Sequence, residues 1–121
     1  MECFASISIA IFRETDSMST REELYDEADR LKDAGKPEEA VAKLLELVAQ
    51  YPDFALAHSA LAVLYGRLKR HDEAIRHGLK VCELEPNDPF SFTAMSVTYQ
   101  RGGKIPEAED AMARARAMQG H

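Results

Sequence analysis

The sequence predicts an all-α fold, a solenoid of three helix-turn-helix units with six helices. Three observations predict it. Residues of one kind recur at a spacing of 34: Ala40, Ala74 and Ala108; Pro52 and Pro86; Tyr65 and Tyr99 with Leu31 one period earlier; Ala28, Ala62 and Ser96, all small. The loops recur with them, as "DAGKPEEA", "LKRHDEA" and "RGGKIPEA", each leading into the alanine series. Between the loops, apolar residues keep a helical period. Self-similarity at 20–50 residues marks units that bury their apolar faces only by stacking on one another.

The elements follow in order. Residues 1–19 fall outside the repeat register. "CFASISIAIF" alternates, with Ile7, Ile9 and Ile11 on one side and Ser6, Ser8 and Ala10 on the other, which is a strand-like period. It is too short to span a bilayer and lacks the basic start of a secretion signal. Met18 stands directly before a helix start and is a second candidate for the initiator. We expect residues 1–19 to be a flexible extension and residues 20–121 to form one domain, with repeats at about 21–54, 55–88 and 89–121.

The first helix of each repeat is expected at 20–34, 54–67 and 88–101, and the second at 37–50, 71–84 and 105–118. Thr20 with Glu23 forms a capping box, and Asp53 and either Asn87 or Asp88 are expected to cap the later ones. Gly35, Gly66 and Gly102 are expected where each first helix stops, because glycine accepts the left-handed conformation of a C-cap. Pro37, Asp72 and Pro106 open the second helices, where proline costs no hydrogen bond. Gly78 falls inside a helix where a large residue is expected, and we expect it to make room for the ring of Phe90 or Phe92.

These residues resemble the tetratricopeptide repeat pattern of Trp-x-x-Leu-Gly-x-x-Tyr, then Ala-x-x-x-Phe, then Pro. The second repeat supplies His58, Leu61, Ala62, Tyr65, Ala74, Gly78, Val81 and Pro86 in that register. The first supplies Leu24, Glu27, Ala28, Leu31, Ala40, Leu44, Leu47 and Pro52, and the third Phe92, Met95, Ser96, Tyr99, Ala108, Met112 and Ala115. The match runs from Arg21 to the C-terminus. Glu27 departs from the pattern's Leu, as suits a first repeat with a wet outer face. The resemblance implies a right-handed superhelix whose first helices line a concave groove and bind a protein or peptide partner.

Helical periodicity then places the groove residues opposite the packing stripe. They are Tyr25 and Asp29, with Glu22, Lys32 and Asp33 beside them; Leu56, Ser59, Val63 and Arg67; and Phe90, Thr93, Val97 and Arg101. This groove would be acidic at one end, apolar in the middle and basic at the other. The plainer reading is a solvated face, but four large apolar residues together would make an unusual patch on such a face. Chaperone-binding members of the family clamp a C-terminal carboxylate with Lys, Asn and Arg. The matching positions here hold Tyr25, Asp29, Phe90 and Ala94, so the resemblance implies no clamp.

Chemistry outside binding has little support. The formal net charge of −6 disfavours nucleic acid and anionic membrane. Cys3 and Cys82 have neither metal-ligand nor disulfide-framework spacing and read as free thiols of the cytoplasm. His58 occupies a packing position, and no pair among His58, His71, His77 and His121 has the i, i+4 spacing of a helical zinc site. We expect no enzyme, no cofactor, no metal and no membrane insertion. The alternative function is a self-associating scaffold, with Ala111, Met112, Ala115 and Met118 exposed on the last helix and no polar helix after it to cover them.

Overall fold

A computed structural model describes residues 21–120, and all regular structure among them is helical. Helix α1 is helical over 21–33. It is followed by α2 (Pro37–Gln50), α3 (Ala55–Arg67), α4 (His71–Leu84), α5 (Pro89–Arg101) and α6 (Ile105–Gln119). Each helix packs on the next along the chain from α2 onward, and α3 also touches α5. The extension 1–19, the Thr20 cap, Cys3 and His121 lie outside the described residues.

The small-residue series meet where helices cross. Ala40 and Ala74 are fully buried, and Ala28, Ala62, Ser96 and Ala108 nearly so. The Ser96 hydroxyl donates to the Ala108 carbonyl at 2.8 Å, so α5 and α6 approach at the point where the two series coincide. A longer side chain at either position would hold the backbones apart. Leu44, Leu47, Leu61 and Leu64 fill the layer between the first two repeats. Lys43 reaches Glu27 at 3.1 Å across α1 and α2, so the polar departure at Glu27 is used in a half-exposed ion pair.

The turn between paired helices is the same in all three repeats. The amide of Lys36 donates to the Leu31 carbonyl, Arg70 to Tyr65 and Lys104 to Tyr99, at 2.8–2.9 Å. This bond spans a left-handed residue, as in the Schellman motif. The left-handed residues are Gly35, Lys69 and Gly103, at φ of 79°, 64° and 80°. The expectation for Gly66 and Gly102 is therefore corrected. Gly66 belongs to the last turn of α3, and Gly102 caps α5 at φ −84°. The turn needs its special backbone one residue after the helix cap, and the repeat spacing fixes that residue as 69 and 103.

Two further expectations change. Asp88 caps α5, its carboxylate accepting from the Phe90 amide at 3.0 Å, but Asp53 does not cap α3. The N-cap there is Phe54, which gives no side-chain bond and instead packs edge-on against Tyr25 at 6.1 Å. Gly78 makes room for Met95 and not for a ring: a Cβ at 78 would stand 2.7 Å from the Met95 sulfur. Phe90 is turned out to solvent, and Phe92 packs instead with Cys82, Ala111 and Ala115, under the guanidinium of Arg114.

That packing also corrects the exposed stripe expected on the last helix. Ala111 and Ala115 are buried against α4 and α5, because small residues there let α6 settle onto Phe92 and Met95. Met112 is half-buried and only Met118, at the end of the stripe, is open.

Candidate functional site

Four of the exposed large apolar residues lie on α3 and α5. Leu56 is 51% exposed, Val63 46%, Phe90 72% and Val97 40%. Leu56, Val63 and Val97 border two hollows. The first, of about 210 Å³, lies between α1, α2 and α3 and is lined by Tyr25, Asp29, Lys32, Leu56, Ser59 and Val63, over Ala28 and Leu44. The second, of about 290 Å³, lies between α3, α4 and α5 and is lined by Ser59, Val63, His71, Met95, Val97 and Arg101, among others. Ser59 and Val63 border both, so the hollows form one continuous depression across three successive first helices.

The depression gathers seven of the ten candidate groove residues. Tyr25, Asp29 and Leu56 border the first hollow, Val97 and Arg101 the second, and Ser59 and Val63 both. Arg67, Phe90 and Thr93 border neither hollow. Arg67 is exposed in the last turn of α3, and the Thr93 hydroxyl is turned back to donate to the Pro89 carbonyl at 3.1 Å. Glu22 pairs with its neighbour Arg21 at 3.1 Å, and Asp33 is exposed.

Charge is distributed unevenly around the depression. In the first hollow Lys32 and Asp29 neutralise one another at 2.9 Å, and the Asp29 hydrogen bond holds the ammonium above its ordinary range. Burial, with Asp29 beside it, pushes the Tyr25 phenol up, so the ring stays a neutral hydrogen-bonding group. The second hollow contains Arg101 and no carboxylate. The Arg101 guanidinium reaches back over α3, with Nη1 3.7 Å from where a Cβ on Gly66 would stand.

Sequence reasoning missed His71, Met95 and Thr98 on the wall of the second hollow. His71 opens α4, and its Nδ1 is buried without a hydrogen-bond partner among the described residues. A histidine at the first position of the second helix was the available signal, but the left-handed turn at Lys69 had to be placed before it could be used.

The other histidines form a structural pair. The Pro52 carbonyl can only accept, so His58 Nε2 carries the proton of that 2.9 Å bond. His58 Nδ1 and His77 Nδ1 share a second hydrogen bond at 3.1 Å. The His77 ring stacks between His58 and Tyr65, and burial, with His58 and Arg76 nearby, keeps its pKa below the ordinary value. Cys82 donates to the Ser91 carbonyl at 3.6 Å, and burial pushes its thiol up, opposite to what a nucleophile needs. Among the described residues, no three His, Cys, Asp or Glu side chains are grouped to hold a metal, and no helix is long and apolar enough to cross a membrane.

Comparison with known proteins agrees with this geometry. The tetratricopeptide repeat family model matches residues 25–89. No curated protein sequence matches the chain. Among solved structures, the chain is similar to MamA, with 20% identity and a TM-score of 0.76 over 83% of this chain and 58% of that one. It is similar to the type III secretion translocator chaperone SycD of Yersinia enterocolitica, with 22% identity and a TM-score of 0.77 over 91% and 81%. It is also similar to the second TPR of Spaghetti (RPAP3) bound to HSP90 peptide SRMEEVD, with 17% identity and a TM-score of 0.75 over 88% and 98%. The chain thus spans less than two-thirds of the MamA chain, and at these identities the likeness is one of fold.

Proposed function

Because the chain belongs to the tetratricopeptide repeat family, we propose that it is a protein-interaction module that holds an extended or helical partner segment along the depression formed by α1, α3 and α5. The observation that carries the proposal is the continuity of the two hollows through Ser59 and Val63, with Leu56 and Val97 exposed on their borders. An apolar depression with a few polar groups on its rim is what a peptide ligand needs: the apolar floor supplies affinity and the rim fixes register. A solved tetratricopeptide unit of matching extent, that of Spaghetti, is bound to a peptide, which supports this use of the fold.

The remaining candidate residues, Arg67, Phe90 and Thr93, lie on the same helices α3 and α5 and would extend the contact. Tyr25, Asp29, Phe90 and Ala94 occupy the positions of the family's carboxylate clamp and include no cation, so the partner is held without that clamp. The unit runs over residues 20–121 in three repeats, works in the cytoplasm and performs no catalysis. Self-association has less support than the sequence suggested, since Ala111 and Ala115 are spent on the core.

The test is selection of random displayed peptides on the full-length protein and on the double variant Val63→Glu, Val97→Glu. Both positions are solvent-exposed, so the variant should fold with wild-type helicity and capture none of the peptides the wild type selects. Equal capture by a folded double variant would overturn the proposal.

A further inference from the structure

The second hollow differs from the rest of the surface in its charge. The chain carries 21 Asp and Glu against 15 Lys and Arg, yet no carboxylate borders this hollow and one guanidinium does. Its floor is apolar, formed by Ala62, Val81 and Met95, with Val63 and Val97 on the rim. On its α4 side Gly78 leaves room for Met95, whose sulfur would stand 2.7 Å from a Cβ there, and the Arg101 guanidinium lies across the end of α3 beside Gly66. Arg101 makes no ion pair among the described residues, whereas Lys32, the cation of the first hollow, is already matched by Asp29. The buried, unpartnered Nδ1 of His71 and the Thr98 hydroxyl, which donates to the Ala94 carbonyl at 3.0 Å, belong to the same wall.

Resting on the groove reading above, we propose that this hollow is a specificity subsite for an acidic peptide: it takes one apolar side chain of the partner and sets a carboxylate, one or two residues away, against Arg101. A guanidinium gives a carboxylate two parallel charge-assisted hydrogen bonds, which fixes direction as well as adding affinity. The apolar floor excludes water from one side of that contact, so it is screened less than a pair on an open surface. Of the family's carboxylate-clamp positions, Ala94 borders this hollow and carries no charge, so its cation is Arg101, in the last turn of α5. The first hollow, with its matched charges, would select by shape and apolar contact, so a partner segment has its acidic end over α3–α5 and its neutral end over α1.

Selection from random displayed peptides on full-length protein tests this directly. Wild-type protein should enrich an aliphatic residue with Asp or Glu one or two positions away. Arg101→Glu should turn the acidic preference into a preference for Lys or Arg. Arg101→Gln should weaken a synthetic peptide of the wild-type consensus about tenfold, with the loss shrinking at high salt. Arg101 is exposed at the end of its helix, so both variants keep the fold. Peptides that are lost with Val63→Glu, Val97→Glu but show no acidic preference, or keep it in Arg101→Glu, overturn the subsite and leave the groove standing. Peptides indifferent to the valine pair overturn both.

Discussion

Lys69 holds the left-handed conformation that Gly35 and Gly103 hold one period away on either side. A β-carbon there crowds the following carbonyl, at a cost of about 1–2 kcal/mol, and only part of this is offset by the entropy that glycine loses on folding. Lys69→Gly is therefore expected to stabilise the fold by about 1 kcal/mol, read as a higher urea midpoint with an unchanged slope. An unchanged or lower midpoint would contradict the shared turn. Residue-level features of this kind were half legible. Asp88 was readable only as one of two caps, with Asn87, and Pro89 at the first helical position decides for Asp88 in the structure. Asp53 has no proline behind it, and Phe54 took the cap position to reach Tyr25. Gly78 was readable as a close approach, but its occupant was not, because Met95 arrives from a different helix.

The helices themselves were the most legible part of the chain. Their existence and order follow from three copies of one pattern, and each copy removes the ambiguity of the others. The predicted bounds lie within about a residue of those found from α2 onward. What decides their approach is the alanine series. Ala74→Leu forces three further heavy atoms into a fully buried crossing between α3 and α4, where overpacking costs about 1–3 kcal/mol. For a domain of this size that should lower Tm by roughly 10 °C. Ala117→Leu, on the exposed face of α6, should change Tm little. Equal melting of the two variants would contradict the register on which the site rests. The last helix shows where single-sequence periodicity fails. Its alanines read as an outer stripe, but α6 turns Ala111 and Ala115 inward because Phe92 and Met95 need a flat, small-residue surface.

At the scale of the whole molecule, the repeat supplies a surface that no single unit has. The first helices α1, α3 and α5 place seven of the ten candidate residues around one depression; the family resemblance chose the helices and the helical period chose the positions on them. The walls contributed by other helices, His71 and Val81 from α4 and Leu44 from α2, were hidden from that argument, because they depend on how the units stack. The charge separation within the depression was hidden as well: Asp29 and Lys32 cancel, and Arg101 stays unmatched among the described residues. The central claim is that this depression is the binding surface. It is tested most directly by amide chemical shifts of the labelled full-length protein, titrated with one peptide selected from the random library. The account predicts that shifts concentrate at Ser59, Val63, Val97 and Arg101 and fade across the outer faces of α2 and α6. Shifts confined to those outer faces, with Ser59 and Val63 unmoved at saturation, would contradict it.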